Sequence, residues 1–302
     1  MKLAALGSVA KEAGLHWLAD KAPRLGAALA YYTIFSLAPL LVILIGVAGL
    51  VFGPEAAQGQ ITAQLTHLVG KEGGEALQAI VENARQPDVG GVATLLGVAM
   101  LILGAAGVFG QLQDALNTIW EVQPKPGGGI WGFIRSRFLS LSMVLGVAFL
   151  LLISLIVSSA LAAVGPLLGD WQTSRIGQLL TLCFDLVVIS ALFALIFKYL
   201  PDAKVAWSDV WLGAVITAVL FSIGKFLIGL YLGRAGLASS YGAAGSFAAL
   251  LVWLYYASQI FLFGAELTKA YANQFGSRIQ PKAHAEPVTA EARAQQGLAL
   301  AD

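Results

Sequence analysis

The sequence predicts an all-α, polytopic membrane protein with six transmembrane helices, and three observations carry that prediction. The chain is 58% hydrophobic and only 12% charged, where a soluble domain carries about 25% charged residues. Six of its stretches are apolar and long enough to cross a hydrocarbon core of about 30 Å at about 1.5 Å per residue. Its Lys and Arg residues are divided unequally between alternate connecting segments. No strand-like alternation competes with this pattern.

Three regions follow in order. Residues 1–22 read as an amphipathic helix on the cytoplasmic side, residues 23–272 as the six-helix domain, and residues 273–302 as a disordered cytoplasmic tail. In the first region Lys2, Lys11, Glu12, Asp20 and Lys21 interrupt the apolar positions, leaving no continuous core for an export signal. Leu3, Leu6, Ala10, Ala13 and Trp17 recur at helical spacing. Such a helix lies on the membrane surface or packs against the cytoplasmic ends of the bundle.

The spans fall at about 25–53, 89–110, 138–161, 176–199, 210–232 and 242–267, with an external segment over 54–88. With both termini cytoplasmic, the inner segments hold thirteen basic residues, among them Lys21, Arg24, Lys125, Lys198, Lys204 and Lys269. The outer segments hold four, Lys71, Arg85, Arg175 and Arg234. That asymmetry sets an N-in, C-in, multi-pass orientation.

In the first span, Pro39 removes a backbone donor and crowds the carbonyl four residues back, so a kink is expected near Phe35 and Ser36. Tyr31, Tyr32, Thr33 and Ser36 stand near enough to satisfy the freed carbonyls. The external segment carries two short apolar faces, Ile61/Leu65/Leu68 and Leu77/Ile80/Val81, parted by Gly73 and Gly74. These read as two surface helices. The second span, with Gly97, Gly104, Gly107 and Gly110, reads as a closely packed inner helix. Pro124, Pro126 and Gly127 to Gly129 then make a loop that lacks the Lys-Ser/Thr ending of a phosphate cradle. The third span carries Ser154 and Ser158 one turn apart. Pro201 ends the fourth span, and Ser208 is placed to cap the fifth.

Charged side chains inside spans are the strongest functional signal. Asp185 lies thirteen residues before Lys198, and Lys225 lies fourteen after Trp211, which puts both roughly 20 Å above the cytoplasmic end. A lone charge near the bilayer centre costs about 2.5–3.5 kcal/mol on insertion scales, and an Asp185–Lys225 pair would offset part of it. Gln178 and Thr181 share a helix face with Asp185, as one wall of a polar cavity would require. On the sixth span Tyr256, Gln259 and Glu266 fall on one side, which should face the protein interior. Its opening turns hold Gly242, Gly245, Ser246, Ala248 and Ala249, a surface suited to close helix approach.

Other chemistries find little purchase. The formal charge is +1, from 18 basic and 17 acidic residues, so the chain lacks the electrostatic footprint of a nucleic-acid binder. Cys183 is the single cysteine, which excludes an intrachain disulfide and a thiolate metal cluster. His16, His67 and His284 are far apart, and no metal-ligating spacing occurs. No cofactor, metal or catalytic residue is expected.

Four stretches carry a resemblance to a known family: AALAYYTIFSLAPLL at 27–41, KYLPDAKVAWSDVWLGA at 198–214, GKFLIGLYL at 224–232 and SSYGAAGSFAALLVWLYYASQIFLFGAEL at 239–267. Over roughly residues 15–275 the chain resembles the BrkB/YihY family of bacterial inner-membrane proteins, once labelled ribonuclease BN. The resemblance implies a six-helix inner-membrane protein described as a transporter or virulence-associated factor, with no settled substrate or catalytic residue. The resulting expectation is a transporter or exporter of an anionic lipid or small anionic solute. Lys225 would hold the anion and Asp185 would neutralise it in the empty state. Glu266, Gln259, Tyr256, Tyr31, Tyr32, Ser36, Pro39, Thr181 and Gln178 complete the path and its gates. A non-transporting scaffold for envelope assembly is the alternative, and a ribonuclease comes third. Beyond the bilayer and the anion, a homo-oligomer is left open, and nucleic acid is not an expected partner.

Overall fold

The computed structural model describes residues 3–53, 107–126, 175–235 and 243–298, with scattered positions between 55 and 78 and residue 146. Helices α1 (Leu3–Ala19) and α2 (Ala22–Phe52) come first, then α3, described over residues 107–119, and strand β1 (Val122–Pro124). Helix α4 (Arg175–Tyr199), strand β2 (Ala203–Lys204) and helix α5 (Trp207–Ala235) form the central hairpin. The chain closes with α6 (Ala243–Gln274), β3 (Gln280–Pro281), β4 (Ala285–Pro287) and the short α7 (Ala290–Gln295).

Among the described residues, three helices are long and apolar enough to cross a membrane: Leu179–Tyr199, Trp207–Ile228 and Phe247–Gln274. Together, Ala22–Leu37 and Leu40–Gly46 of α2 pass the same test, bent by 50° where they meet. The break coincides with Pro39, whose ring cannot continue the backbone ladder. Most of the second and third expected spans, and most of the external segment, lie outside the described residues.

α6 is the hub, packing against α1, α2 and α5, while α4 packs on α5. An aromatic core joins four helices: Phe193 and Phe197 of α4 meet Phe261 of α6, Phe193 meets Phe221 of α5, and Trp120 at the end of α3 meets Phe197. Small residues let α5 and α6 close up further. A methyl group built on Gly264 would lie 2.7 Å from Thr217 Cγ2, and one on Gly213 would lie 2.9 Å from Thr268 Cβ. Each threonine of this antiparallel pair seats on the other helix's glycine. Each also donates its hydroxyl to the glycine carbonyl one turn back on its own helix, Thr217 at 2.6 Å and Thr268 at 2.8 Å. The close approach sits in the second half of α6, away from the small residues at its start.

Three expectations change, and one pair of alternatives is decided. Ser208 does not cap α5, because the helix already starts at Trp207 and the Ser208 hydroxyl donates to Asp209 Oδ1 at 3.0 Å. The first helix folds onto the protein, burying Val9 and Ala13 against Leu267 and Ala270 of α6, as the packing alternative required. The fold is mostly helical but not purely so, since β1 pairs with β4 and β2 with β3, both antiparallel. The tail, read as disordered from its polar composition, is ordered through residue 298. Its backbone finds strand partners in the two inter-helix loops, and its Arg293 is buried.

Candidate functional site

The expected ion pair inside the apolar spans is not made. Asp185 and Lys225 are both half-buried on the packed helices α4 and α5, yet no salt bridge joins them. α4 and α5 meet instead through aromatic rings, Phe193 on Phe221 at 5.8 Å and Tyr199 on Trp207 at 5.9 Å.

The remaining sequence candidates divide between interior and surface. Tyr31 and Tyr32 are 60% and 45% exposed and meet edge to face beside Phe35, so they do not line an interior among the described residues. α2 turns that face away from α6, whose neighbours on it are Ala30, Ile34, Leu41 and Leu44. Ser36 is buried, facing Gly107 of α3. Pro39 marks the bend. Thr181 is exposed and donates to the Gly177 carbonyl at 3.0 Å, so it walls no hollow between the described helices. Gln178 lies on the same helix, and its side chain is outside the described set.

On α6 the polar stripe does face inward. Tyr256 rests against Gly224 of α5, where a built methyl would meet its hydroxyl at 3.1 Å. Gln259 presses its amide on Gly26 of α2, and neither amide atom finds a hydrogen-bond partner among the described residues. Glu266 is fully buried.

The most organised polar constellation lies where α6 leaves the apolar region. Lys269 Nζ sits 2.8 Å from Glu121 Oε1 and 3.9 Å from Asp20 Oδ2. Arg293 Nη2 sits 2.7 Å from Asp20 Oδ1, and its Nη1 lies 3.4 Å from Glu121 Oε1. Four segments thus converge: the α1–α2 turn, the end of α3, α6 and the tail helix. Burial acts to raise the Glu121 carboxyl, but the Lys269 ammonium, by charge and hydrogen bond, then Arg293 and His16 outweigh it. The group titrates below the ordinary glutamate range. Glu121 also adopts a left-handed φ of 56°, a conformation common just past a helix end but costly for a side chain that nothing holds.

A second clasp holds the α4–α5 loop. Buried Asp202 accepts from Gln113 Nε2 at 3.2 Å and Asn117 Nδ2 at 2.9 Å, and its backbone N–H donates to Asn117 Oδ1 at 2.8 Å. His284 Nε2 of the tail lies 2.8 Å from Asp202 Oδ1. Lys282 donates to the carbonyls of Tyr199 and Pro201 at 3.1 and 2.6 Å.

These groups escape a sequence reading because their partners come from segments far apart in the chain. The one local signal was the loop motif KYLPDAKV, whose aspartate is the clasped Asp202. Among the described residues, no cluster of three or more His, Cys, Asp or Glu side chains could hold a metal ion.

The virulence factor BrkB family model matches residues 15–289, which takes in the end of α1, helices α2 to α6 and both strand pairings. The chain belongs to the BrkB family. Relatives carry the name UPF0761 membrane protein. The relative from Pseudomonas aeruginosa PAO1 is 30% identical over 258 residues, covering 83% of this chain and 59% of its own. The relative from Azotobacter vinelandii is 30% identical over 259 residues, with 83% and 60% covered. One from Rhodospirillum centenum is 26% identical over 250 residues, with 81% and 53% covered. The chain spans under two thirds of these relatives' lengths, and none of the three names denotes an enzyme. No solved structure matches the chain. In this BrkB family member, the matched region includes Asp20, Glu121 and Lys269, while Arg293 lies just beyond it.

Proposed function

We propose that this BrkB family member transports or exports an anionic lipid or small anionic solute across the bacterial inner membrane, with Lys225 as the anion's ligand. The observation that carries this reading is Lys225 itself. It is half-buried in the candidate span Trp207–Ile228, with no carboxylate in salt-bridge range among the described residues. An ammonium in such a position costs about 2.5–3.5 kcal/mol near the bilayer centre, so its retention asks for an anion to hold. The 50° bend of α2 supplies the kind of broken helix along which membrane transporters open. Positive-inside charge supports both termini being cytoplasmic.

The test is reconstitution into liposomes, with flux of a fluorescent anionic phospholipid and of labelled small carboxylates measured separately. Wild type should move one of these probes faster than empty vesicles, and Lys225→Ala should remove the excess. Equal rates for wild type and empty vesicles with every probe would end the transport reading. One observation favours a scaffold instead: the tail stitches both inter-helix loops into a folded platform. That reading predicts no flux, with envelope proteins retained by the wild type and lost when β3, β4 and α7 are deleted.

A further inference from the structure

The charged end of the bundle holds an excess of acid that its geometry does not satisfy. Asp20, Glu121 and Glu266 face two cations, Lys269 and Arg293. Lys269 bonds Glu121, and Arg293 bonds Asp20 Oδ1. Glu266 is left over. It is fully buried, and neither of its carboxyl oxygens has a hydrogen-bond partner among the described residues. The group in hydrogen-bonding reach of it is the carboxyl of Asp20, also fully buried, whose Oδ2 has no hydrogen-bond partner either.

Ionised carboxylates only accept hydrogen bonds, so two of them facing each other leave every oxygen on that side without a donor. Buried polar atoms in native structures are almost always partnered, and unpartnered ones call for a ligand or an ion. Like carboxylates sharing one site resolve this by keeping a proton between them. The other charged groups nearby are already engaged. Lys269 Nζ is 3.9 Å from Asp20 Oδ2, beyond hydrogen-bond length. His16 bears on Glu121 from α1 and lies 4.0 Å from Glu12.

We infer that Asp20 and Glu266 hold a single proton between them, forming a proton-binding site that ties the α1–α2 turn to α6. With the proton in place, Glu266 or Asp20 donates to the other, and three acids and two bases become electrically balanced. Without it, two like charges face each other at the junction where bent α2 begins. Proton occupancy is thereby coupled to the position of α2 against α6. The inference stands whether or not the protein transports anything.

Infrared spectroscopy of the full chain in lipid tests it through the C=O stretch of a protonated carboxylic acid, which shifts in D2O. The wild-type minus Glu266→Gln difference at neutral pH should contain that band, and so should the wild-type minus Asp20→Asn difference. In Glu266→Gln the carboxamide N–H can donate to Asp20 Oδ2 in the proton's place, so this variant should fold and melt close to wild type. Should Asp20→Asn fail to fold, Asp20→Asn/Arg293→Gln, which removes the paired cation together with the acid, takes its place in the comparison. A difference spectrum showing only carboxylate bands overturns the inference. So does a protonated-acid band that survives Asp20→Asn, because the proton would then belong to Glu266 alone.

Discussion

Arg293 and Asp20 are 273 positions apart in the chain, yet Arg293 Nη2 lies 2.7 Å from Asp20 Oδ1 and both side chains are buried. A buried pair of this kind is worth little compared with a well-packed apolar pair, but removing one member strands the other's charge. Arg293→Ala should therefore destabilise the protein by about 3–5 kcal/mol. In Asp20→Ala/Arg293→Ala the loss should be clearly smaller than the sum of the single losses, because no buried charge is left alone. Unfolding in detergent, followed by circular dichroism, measures all three variants. Additive losses would mean that the pair is not coupled.

The helices carrying the bundle were legible because bilayer thickness imposes a length on any apolar run, and α4, α5 and α6 meet it within a few residues. The bend at Pro39 was legible for a local reason too, since proline acts on its own helix. What failed was anything set by how helices face one another. Asp185 and Lys225 looked level from their distances to Lys198 and Trp211, but depth along a helix does not say which way a side chain turns around it, and rings such as Phe193 and Phe221 make the α4–α5 contact instead. The tail failed for a related reason. Strands of two or three residues carry no periodicity to read, and the burial of Arg293 depends on acids supplied by the α1–α2 turn and the end of α3.

The reciprocal seating of Thr217 on Gly264 and Thr268 on Gly213 predicts intolerance of a single methyl group. At Gly264 the added carbon would lie 2.7 Å from Thr217 Cγ2, where both helix backbones are already held by α6's other neighbours. Overpacking of this kind costs about 1–3 kcal/mol. Gly264→Ala should fall in that range, and Gly264→Ala/Thr217→Ser should recover part of the loss by removing the threonine methyl. Melting temperatures of the purified variants decide the matter. An unaffected Gly264→Ala would show that the two helices are less closely apposed.

Glu121 should make stability depend on pH in the acid range. Despite its burial, Lys269 and then Arg293 hold its carboxyl below the usual value of 4.5. A group with a depressed folded-state pKa contributes stability above its unfolded value, and that contribution disappears as pH falls through the folded value. Glu121→Gln should therefore be less stable than wild type at neutral pH. The gap should close as pH falls through the range below 4.5. Melting curves taken across that range test the sign. A gap that widened on acidification would mean the carboxylate is not stabilised by its two cations.

Asp185 and Lys225 offer the sharpest check on the unmade ion pair and on function together. With no salt bridge between the groups, neutralising one leaves the other in much the same surroundings. The stability losses of Asp185→Ala and Lys225→Ala should then add to within about 0.5 kcal/mol in the double variant. A coupling well above 1 kcal/mol would mean the side chains meet after all. Transport separates the two residues further. If Lys225 binds the anion, Lys225→Ala abolishes flux in liposomes and adding Asp185→Ala does not restore it. Were Asp185 the partner whose release opens the site, the double variant would regain flux, because the charge that competes with the anion would be gone. Lys225→Arg keeps the cation but spreads it over a planar fork with more donors, so it should retain flux while changing which anions are preferred.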